Sequence, residues 1–173
     1  MRLVLLAMSL TVLLFASSQG SADEKEKAVE QELARMQGLW GSIHADYWHT
    51  NGEEDQVRPL QDMQKSHRIQ GNKWIVVDAK GKATGVEKII TLDISTKPKK
   101  IQLTTTRKGG DDRLDQKITE YGIYELTRDG LLVHFGPPDD KGGTKPAPEK
   151  FLQFGKPIKG LDGAAILFER MKE

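Results

Sequence analysis

Gly38-Leu39-Trp40 is the stretch on which the interpretation of the whole chain depends. A charged segment of helical periodicity runs into Gly38, and a segment of alternating, strand-like periodicity leaves from Trp40. Glycine at such a junction lets the backbone turn tightly or approach a neighbour closely. A tryptophan one step inside a strand buries about 150–250 Å² when it is packed. The stretch therefore predicts the start of a first strand whose tryptophan enters a core.

The far end of the chain offers a partner for Trp40. The run Ala164–Arg170 has the composition of a last strand. A guanidinium placed over an indole ring contributes roughly 0.5–2 kcal/mol, so Arg170 over Trp40 would join the last strand to the first. Pairing of these two strands closes a sheet and removes its edges. We therefore predict a closed barrel with Gly38, Trp40 and Arg170 as its structural signature.

Short strand-like segments separated by turn signals fill the chain between these two ends. Gly71-Asn72 and Arg128-Asp129-Gly130 are typical of tight hairpin turns. The pattern predicts an all-β fold, an antiparallel barrel of about eight strands over residues 38–173. A charged helix over residues 23–37 precedes it, and residues 53–66 form a polar connection near the barrel mouth.

Alternation within the first strand assigns its side chains to two faces. One face receives Ile43, Ala45 and Tyr47. The other face receives Ser42, His44, Asp46 and Trp48.

Residues 1–22 have the pattern of a signal peptide. Arg2 precedes an apolar run of residues 3–15, and small polar residues follow as far as Ala22. The alternative is a membrane anchor, but the run is shorter than the roughly 17–25 residues of a span. We therefore predict cleavage after Ala22, export to the periplasm or the outside, and no stable membrane span afterwards.

The overall charge argues against a nucleic-acid partner. The chain of 173 residues carries 26 basic and 25 acidic side chains. Removal of Arg2 with the signal peptide leaves the two signs balanced, whereas nucleic-acid binding normally needs a basic face. The chain contains no cysteine, so neither disulfides nor thiol chemistry contribute.

The Gly-x-Trp opening and the terminal arginine are similar to the signature of lipocalins and related calycin barrels. The fuller pattern resembles a family of lipocalin-like domains found mainly in planctomycete bacteria. The matching segments cover roughly residues 33–172. They are Leu33…Gly38-x-Trp40, Leu92-Asp93…Pro98-Lys99-Lys100-Ile101, Gly122-Ile123-Tyr124-Glu125-Leu126 and Leu167-Phe168-Glu169-Arg170. One departure is Lys145, which stands where the family often has arginine. The resemblance implies a fold and no activity.

Two residues of the first strand are the candidates for a metal site. His44 and Asp46 lie two apart and so share a face, with His49 on the opposite face. His67 or His134 would have to supply a further ligand. Because this spacing matches no recognised metal motif, polar residues near a strand end are the favoured interpretation. We predict no metal and no other cofactor.

Candidate catalytic groups lie on the strand near residue 120. Glu120 and Tyr124 share one face, and Tyr121 and Glu125 share the other. Paired carboxylates catalyse hydrolysis only when their pKa values are pushed apart, and an ordinary polar strand face gives the same pattern. The chain has no nucleophile elbow, phosphate loop or His-Glu-x-x-His motif. We therefore expect no enzymatic activity.

The aromatic residues permit two interpretations of the barrel interior. In the favoured one they fill a small core, and in the other they surround a ligand cavity. The candidate ligand-lining residues are Tyr47, Trp48, Trp74, Tyr124, Phe135 and Phe168.

These observations leave three functional classes. The first is an exported, non-catalytic lipocalin-like domain that binds a small, partly apolar ligand in its barrel. The alternative is a structural or protein-interaction module of the cell envelope with a filled barrel. The third is an envelope enzyme, which would need His44, Asp46 or Glu120 to converge in one cleft.

Overall fold

The computed structural model describes residues 22–50, 55–59, 66–78, 80–108, 115–146, 148–151, 154 and 163–172. Within these ranges, the side chains of residues 47–50 and 55–59 are not described. The predicted signal peptide lies outside the described residues, apart from Ala22. Two units are distinguished in the chain, Met1–Arg35 and Met36–Glu173.

A helix, α1, spans residues 22–36, close to the predicted range of 23–37. Its exposed side chains are mainly charged, and Arg35 forms an ion pair with Glu32 at 2.8 Å. Among the described helical residues, no stretch is long and apolar enough to pass through a bilayer.

The described residues of the second unit form nine strands. They are β1 (Gly38–Thr50), β2 (Asp55–Pro59), β3 (Ser66–Gln70), β4 (Lys73–Val77), β5 (Ala83–Asp93), β6 (Lys99–Arg107), β7 (Gln116–Leu126), β8 (Gly130–Phe135) and β9 (Gly163–Arg170).

The strands form a closed antiparallel barrel. Each strand from β3 to β8 pairs with the next strand in the chain, and β1 pairs with β3 on one edge and with β9 on the other. Eight strands therefore close the barrel, and β2 extends the sheet along the far part of β1. This arrangement confirms the predicted all-β fold, an eight-stranded antiparallel lipocalin-like barrel with an N-terminal helix.

The first and last strands are joined through the side chains that the sequence singled out. The guanidinium carbon of Arg170 lies 4.3 Å from the centroid of the Trp40 ring. Arg170 also donates a hydrogen bond to the carbonyl of Gln37, and the Trp40 indole donates to the carbonyl of Met36 at 2.8 Å. Gly38 has a φ of 120°, and a Cβ there would lie 3.1 Å from the Arg170 guanidinium. Glycine is favoured here because a side chain would be strained at this φ and would also press against the arginine.

The barrel has two unequal ends. The connections 71–72, 94–98 and 127–129 are short and lie at the end that holds Trp40, which we call the closed end. The strand ends Thr50, Val77, Arg107 and Phe135 lie at the other end, the open end. Fully buried core residues concentrate toward the closed end, among them Trp40, Met36, Ile101, Leu131 and Val133.

The predicted polar connection at residues 53–66 is wrong in its first half. Residues 55–59 form β2, which pairs with the last residues of β1. Asp46–Thr50 of β1 pair with β2, and Gly38–Gly41 pair with β3. β2 and β3 therefore lie one after the other along the same edge of β1.

The predicted faces of β1 are wrong at Ile43. Ser42 pairs with Phe168 and His44 pairs with Leu167, so Ile43 is the extra residue of a β-bulge. A bulge reverses the alternation beyond it. Ser42 and Ala45 consequently both face the barrel interior, whereas Ile43 is 58% exposed.

Candidate functional site

A cavity of about 1000 Å³ occupies the open end of the barrel. Each of the eight barrel strands contributes at least one side chain to its wall, and residues 136–144 form part of its rim. Apolar groups predominate, including Ala45, Trp74, Val76, Leu103, Phe135, Ala164, Ile166 and Phe168. As far as the described residues go, this end of the barrel is therefore hollow and does not have the solid aromatic core of the favoured expectation.

Three aromatic rings organise the deeper wall of the cavity. The Trp74 indole donates a hydrogen bond to Nδ1 of His67 at 2.8 Å. The Phe168 ring lies 5.2 Å from the His67 ring and 5.5 Å from the Trp74 ring, both edge to face. Edge-to-face contacts of this kind favour one fixed arrangement of rings. Because Nδ1 accepts a hydrogen bond from the indole N–H, the proton of a neutral His67 imidazole lies on Nε2.

An ion pair lies beside these rings, on β5 and β7, and its lysine, Lys88, pairs directly with Trp74 across β4 and β5. Lys88 Nζ and Glu120 Oε2 are 2.5 Å apart. Leu103 on β6 pairs with Glu120 on β7 and with Ile90 on β5. Lys88 lies two residues before Ile90 on β5. Side chains two apart on a strand share a face, so both charges point into the barrel and meet across β6.

The rim of the cavity is built where β8 ends early. β8 stops at Phe135, and residues 136–146 continue along the free edge of β7. Gly136 donates its N–H to the carbonyl of Tyr121 at 2.9 Å, and Thr144 donates to that of Thr119 at 3.1 Å. This rim segment, residues 136–146, is therefore an ordered part of the wall.

Asp139 fixes the turn of the rim segment. Its Oδ1 accepts hydrogen bonds from the backbone N–H groups of Lys141 at 2.9 Å and Gly143 at 2.7 Å. A Cβ on Gly143 would lie 2.4 Å from the carbonyl oxygen of Thr119, so only glycine permits this approach.

The structure separates the six candidate ligand-lining residues into three groups. Trp74, Phe135 and Phe168 line the cavity. Tyr124 is 1% exposed and belongs to the packed core instead. The side chains of Tyr47 and Trp48 lie outside the described residues.

The two candidate metal ligands, His44 and Asp46, are in contact, but neither His67 nor His134 joins them. His44 Nε2 lies 3.2 Å from Asp46 Oδ1, and the His44 ring meets the Phe154 ring edge to face at 4.5 Å. His67 is on the cavity wall, while His134 is buried elsewhere, where desolvation lowers its pKa to about 4. Within the part of the chain that is described, no group of three or more histidine, cysteine or acidic residues is placed to hold a metal ion.

The candidate catalytic residues are also dispersed. Glu120 faces the cavity but is engaged by Lys88. Tyr124 lies in the core, and Tyr121 and Glu125 are exposed. His44 and Asp46 are not among the cavity-lining residues, so they do not share a cleft with Glu120.

Sequence reasoning missed Lys88 and His67 as parts of the cavity. Lys88 alternates with Val86, Ile90 and Leu92, so it interrupts an apolar face of the predicted strand. A charge at an inward position is the signal that would have identified it. The sequence around His67 carries no such signal, because its contact with Trp74 depends on how β3 pairs with β4.

Comparison of the chain with protein-family models, with curated proteins and with solved structures found no match. The resemblance to the planctomycete domain family therefore stays a prediction. What the structure establishes is a closed, eight-stranded antiparallel barrel of lipocalin-like fold with a cavity at one end.

Proposed function

We propose that this protein is an exported, non-catalytic lipocalin-like domain that binds a small, partly apolar molecule inside its barrel. The observation that carries the proposal is the cavity of about 1000 Å³ lined from all eight strands. Binding sites for small molecules are typically concave, roughly 300–1,000 Å³, and mostly apolar with a few placed polar groups. The cavity has this size and composition.

The titratable groups of the wall support a binding role over catalysis. Glu120 is paired with Lys88, and His67 accepts a hydrogen bond from the Trp74 indole N–H. Asp78, at the rim, accepts hydrogen bonds from the backbone N–H groups of Lys80 and Lys82. Each of these side chains thus has a structural contact of its own.

Export is supported by the sequence of residues 1–22, which has the order of features found in signal peptides. The competing proposal, an envelope interaction module with a filled barrel, is disfavoured because the described interior is not filled.

Native and denaturing mass spectra of protein purified from its own source test the proposal. A small adduct that is retained under native conditions and lost on denaturation is the expected result. A fluorescence titration with N-phenyl-1-naphthylamine, an uncharged apolar probe, gives a second readout on recombinant protein.

One substitution connects either signal to the cavity. Ala164 lines the wall, so Ala164→Trp fills space that a ligand would occupy and should abolish binding. Ala34→Trp, on the exposed face of α1, is the matched control and should bind as the wild type does. Equal probe binding by both variants, or a bare mass together with no probe binding by the wild type, would overturn the proposal.

A further inference from the structure

The ion pair on the cavity wall determines which charge a ligand can carry, an inference that rests on the proposed function. The side chains of Lys88 and Glu120 are 21% and 26% exposed. Their nearest neighbours along and across the strands include the buried Ile90 and Leu103. The pair therefore sits against apolar surface with its two charges compensated.

A charged ligand group would disturb this compensation. An anionic head group at Lys88 would also lie close to the Glu120 carboxylate and be repelled by it, and a cationic one at Glu120 would be repelled by Lys88. In either case the ligand would bring an uncompensated charge to a wall that is mostly apolar. That charge would lose part of its hydration on entering the cavity without gaining an opposite charge of its own, which disfavours binding.

An uncharged polar group meets no such penalty. An ammonium group has three donors and a carboxylate accepts at two oxygens, and the Lys88–Glu120 contact joins one nitrogen to one oxygen. A hydroxyl can donate to the carboxylate and accept from the ammonium while the ion pair stays intact. Hydrogen bonds to charged groups are stronger than those between neutral groups.

We infer that the cavity selects uncharged amphiphiles, with an apolar chain or ring system in the barrel and one hydroxyl or carbonyl group against the Lys88–Glu120 pair. Fatty alcohols and monoacylglycerols have this chemistry, whereas fatty acids and alkylamines do not at neutral pH. Lys88 and Glu120 are thus the residues that set the charge preference.

Competition among three probes of equal chain length tests this inference. Decan-1-ol, decanoate and decylamine are each titrated against bound N-phenyl-1-naphthylamine at neutral pH and below their micelle concentrations. For the wild type we expect decan-1-ol to bind about tenfold more tightly than either charged probe, the factor that one hydrogen bond to a charged group supplies.

Three substitutions assign the preference to the pair. Glu120→Gln removes the partner of Lys88, so decanoate affinity should rise about tenfold. Lys88→Gln should raise the affinity for decylamine in the same way. Glu87→Gln is the matched control, because Glu87 pairs with Lys73 at 2.9 Å on exposed parts of β4 and β5. It should leave the order of the three probes unchanged.

The outcomes separate the two proposals. If the wild type does not bind the fluorescent probe at all, the proposed binding function fails. If the probe binds but decanoate or decylamine displaces it as well as decan-1-ol does, or if decan-1-ol does not displace it, the charge inference alone is overturned. The charge inference is also overturned if Glu120→Gln, shown to be folded by its circular dichroism spectrum, binds the three probes in the same order of affinity as the wild type.

Discussion

Removal of the Trp40 side chain should be the most damaging single change at the closed end of the barrel. The side chain is 0% exposed, and its indole donates to the Met36 carbonyl. Replacement of a buried tryptophan by alanine costs about 3–5 kcal/mol in lost transfer free energy and cavity formation. The lost hydrogen bond adds about 1 kcal/mol. We expect Trp40→Ala to lower the free energy of unfolding by roughly 4–6 kcal/mol and Tm by about 8–24 °C.

Thermal and urea unfolding followed by far-ultraviolet circular dichroism measure this loss without depending on tryptophan fluorescence. A double-mutant cycle of Trp40→Phe with Arg170→Met then isolates the contact between the two strands. The expected coupling is about 0.5–2 kcal/mol, the range for a cation over an aromatic ring.

Phe135 provides the control for that cycle. It pairs with Ala164, six residues before Arg170 on β9, which places it about 20 Å from the arginine along the strand. Phe135→Leu and Arg170→Met should therefore be additive within about 0.5 kcal/mol. A Tm loss below about 4 °C for Trp40→Ala, or equal coupling in both cycles, would refute the account of how the barrel closes.

Two further predictions concern the rim and the buried histidine. Gly143→Ala forces a Cβ against the Thr119 carbonyl, so it should cost about 1–3 kcal/mol in thermal unfolding and weaken probe binding. Gly71→Ala is the control, because φ is 58° there and no atom lies within 4 Å of the added Cβ. It should cost only the backbone strain of about 1 kcal/mol and leave probe binding intact. Equal losses of probe binding in Gly143→Ala and Gly71→Ala would contradict this prediction. Burial lowers the pKa of His134 from 6.5 to about 4, so the unfolded state binds the proton more tightly. The free energy of unfolding should therefore fall by up to about 3 kcal/mol from pH 6.5 to pH 4. In His134→Gln, the urea midpoint should lose this part of its pH dependence. An unchanged pH dependence in the variant would contradict the assignment of the effect to His134.

The closure of the barrel and its short turns could be predicted because their signals are local or chemically distinctive. Gly71-Asn72 joins β3 to β4, and the turn before Gly130 joins β7 to β8, as their residue types indicate. Trp40 and Arg170 are far apart in the chain, but an indole on the first strand and a guanidinium on the last strand indicate a cation–π contact between these strands. Their contact is present in the structure.

The faces of β1 and the contents of the cavity could not be predicted, because both depend on register. The bulge at Ile43 arises from the pairing of β1 with β9, and alternation within β1 carries no sign of it. Lys88 and Glu120 meet only because β6 brings β5 and β7 to a fixed offset. Whether an interior is filled or hollow depends on such offsets, and composition does not specify them.

The pairing of the first and last strands also determines how the barrel can be attached to a surface. Gln37 accepts a hydrogen bond from Arg170, and Met171 donates its N–H to Leu39 at 2.8 Å. Both chain ends of the barrel unit thus leave from the closed end, opposite the rim at residues 136–146. A protein immobilised through a linker after residue 172 should therefore present its cavity to the solution, with the tether and the entrance at opposite poles.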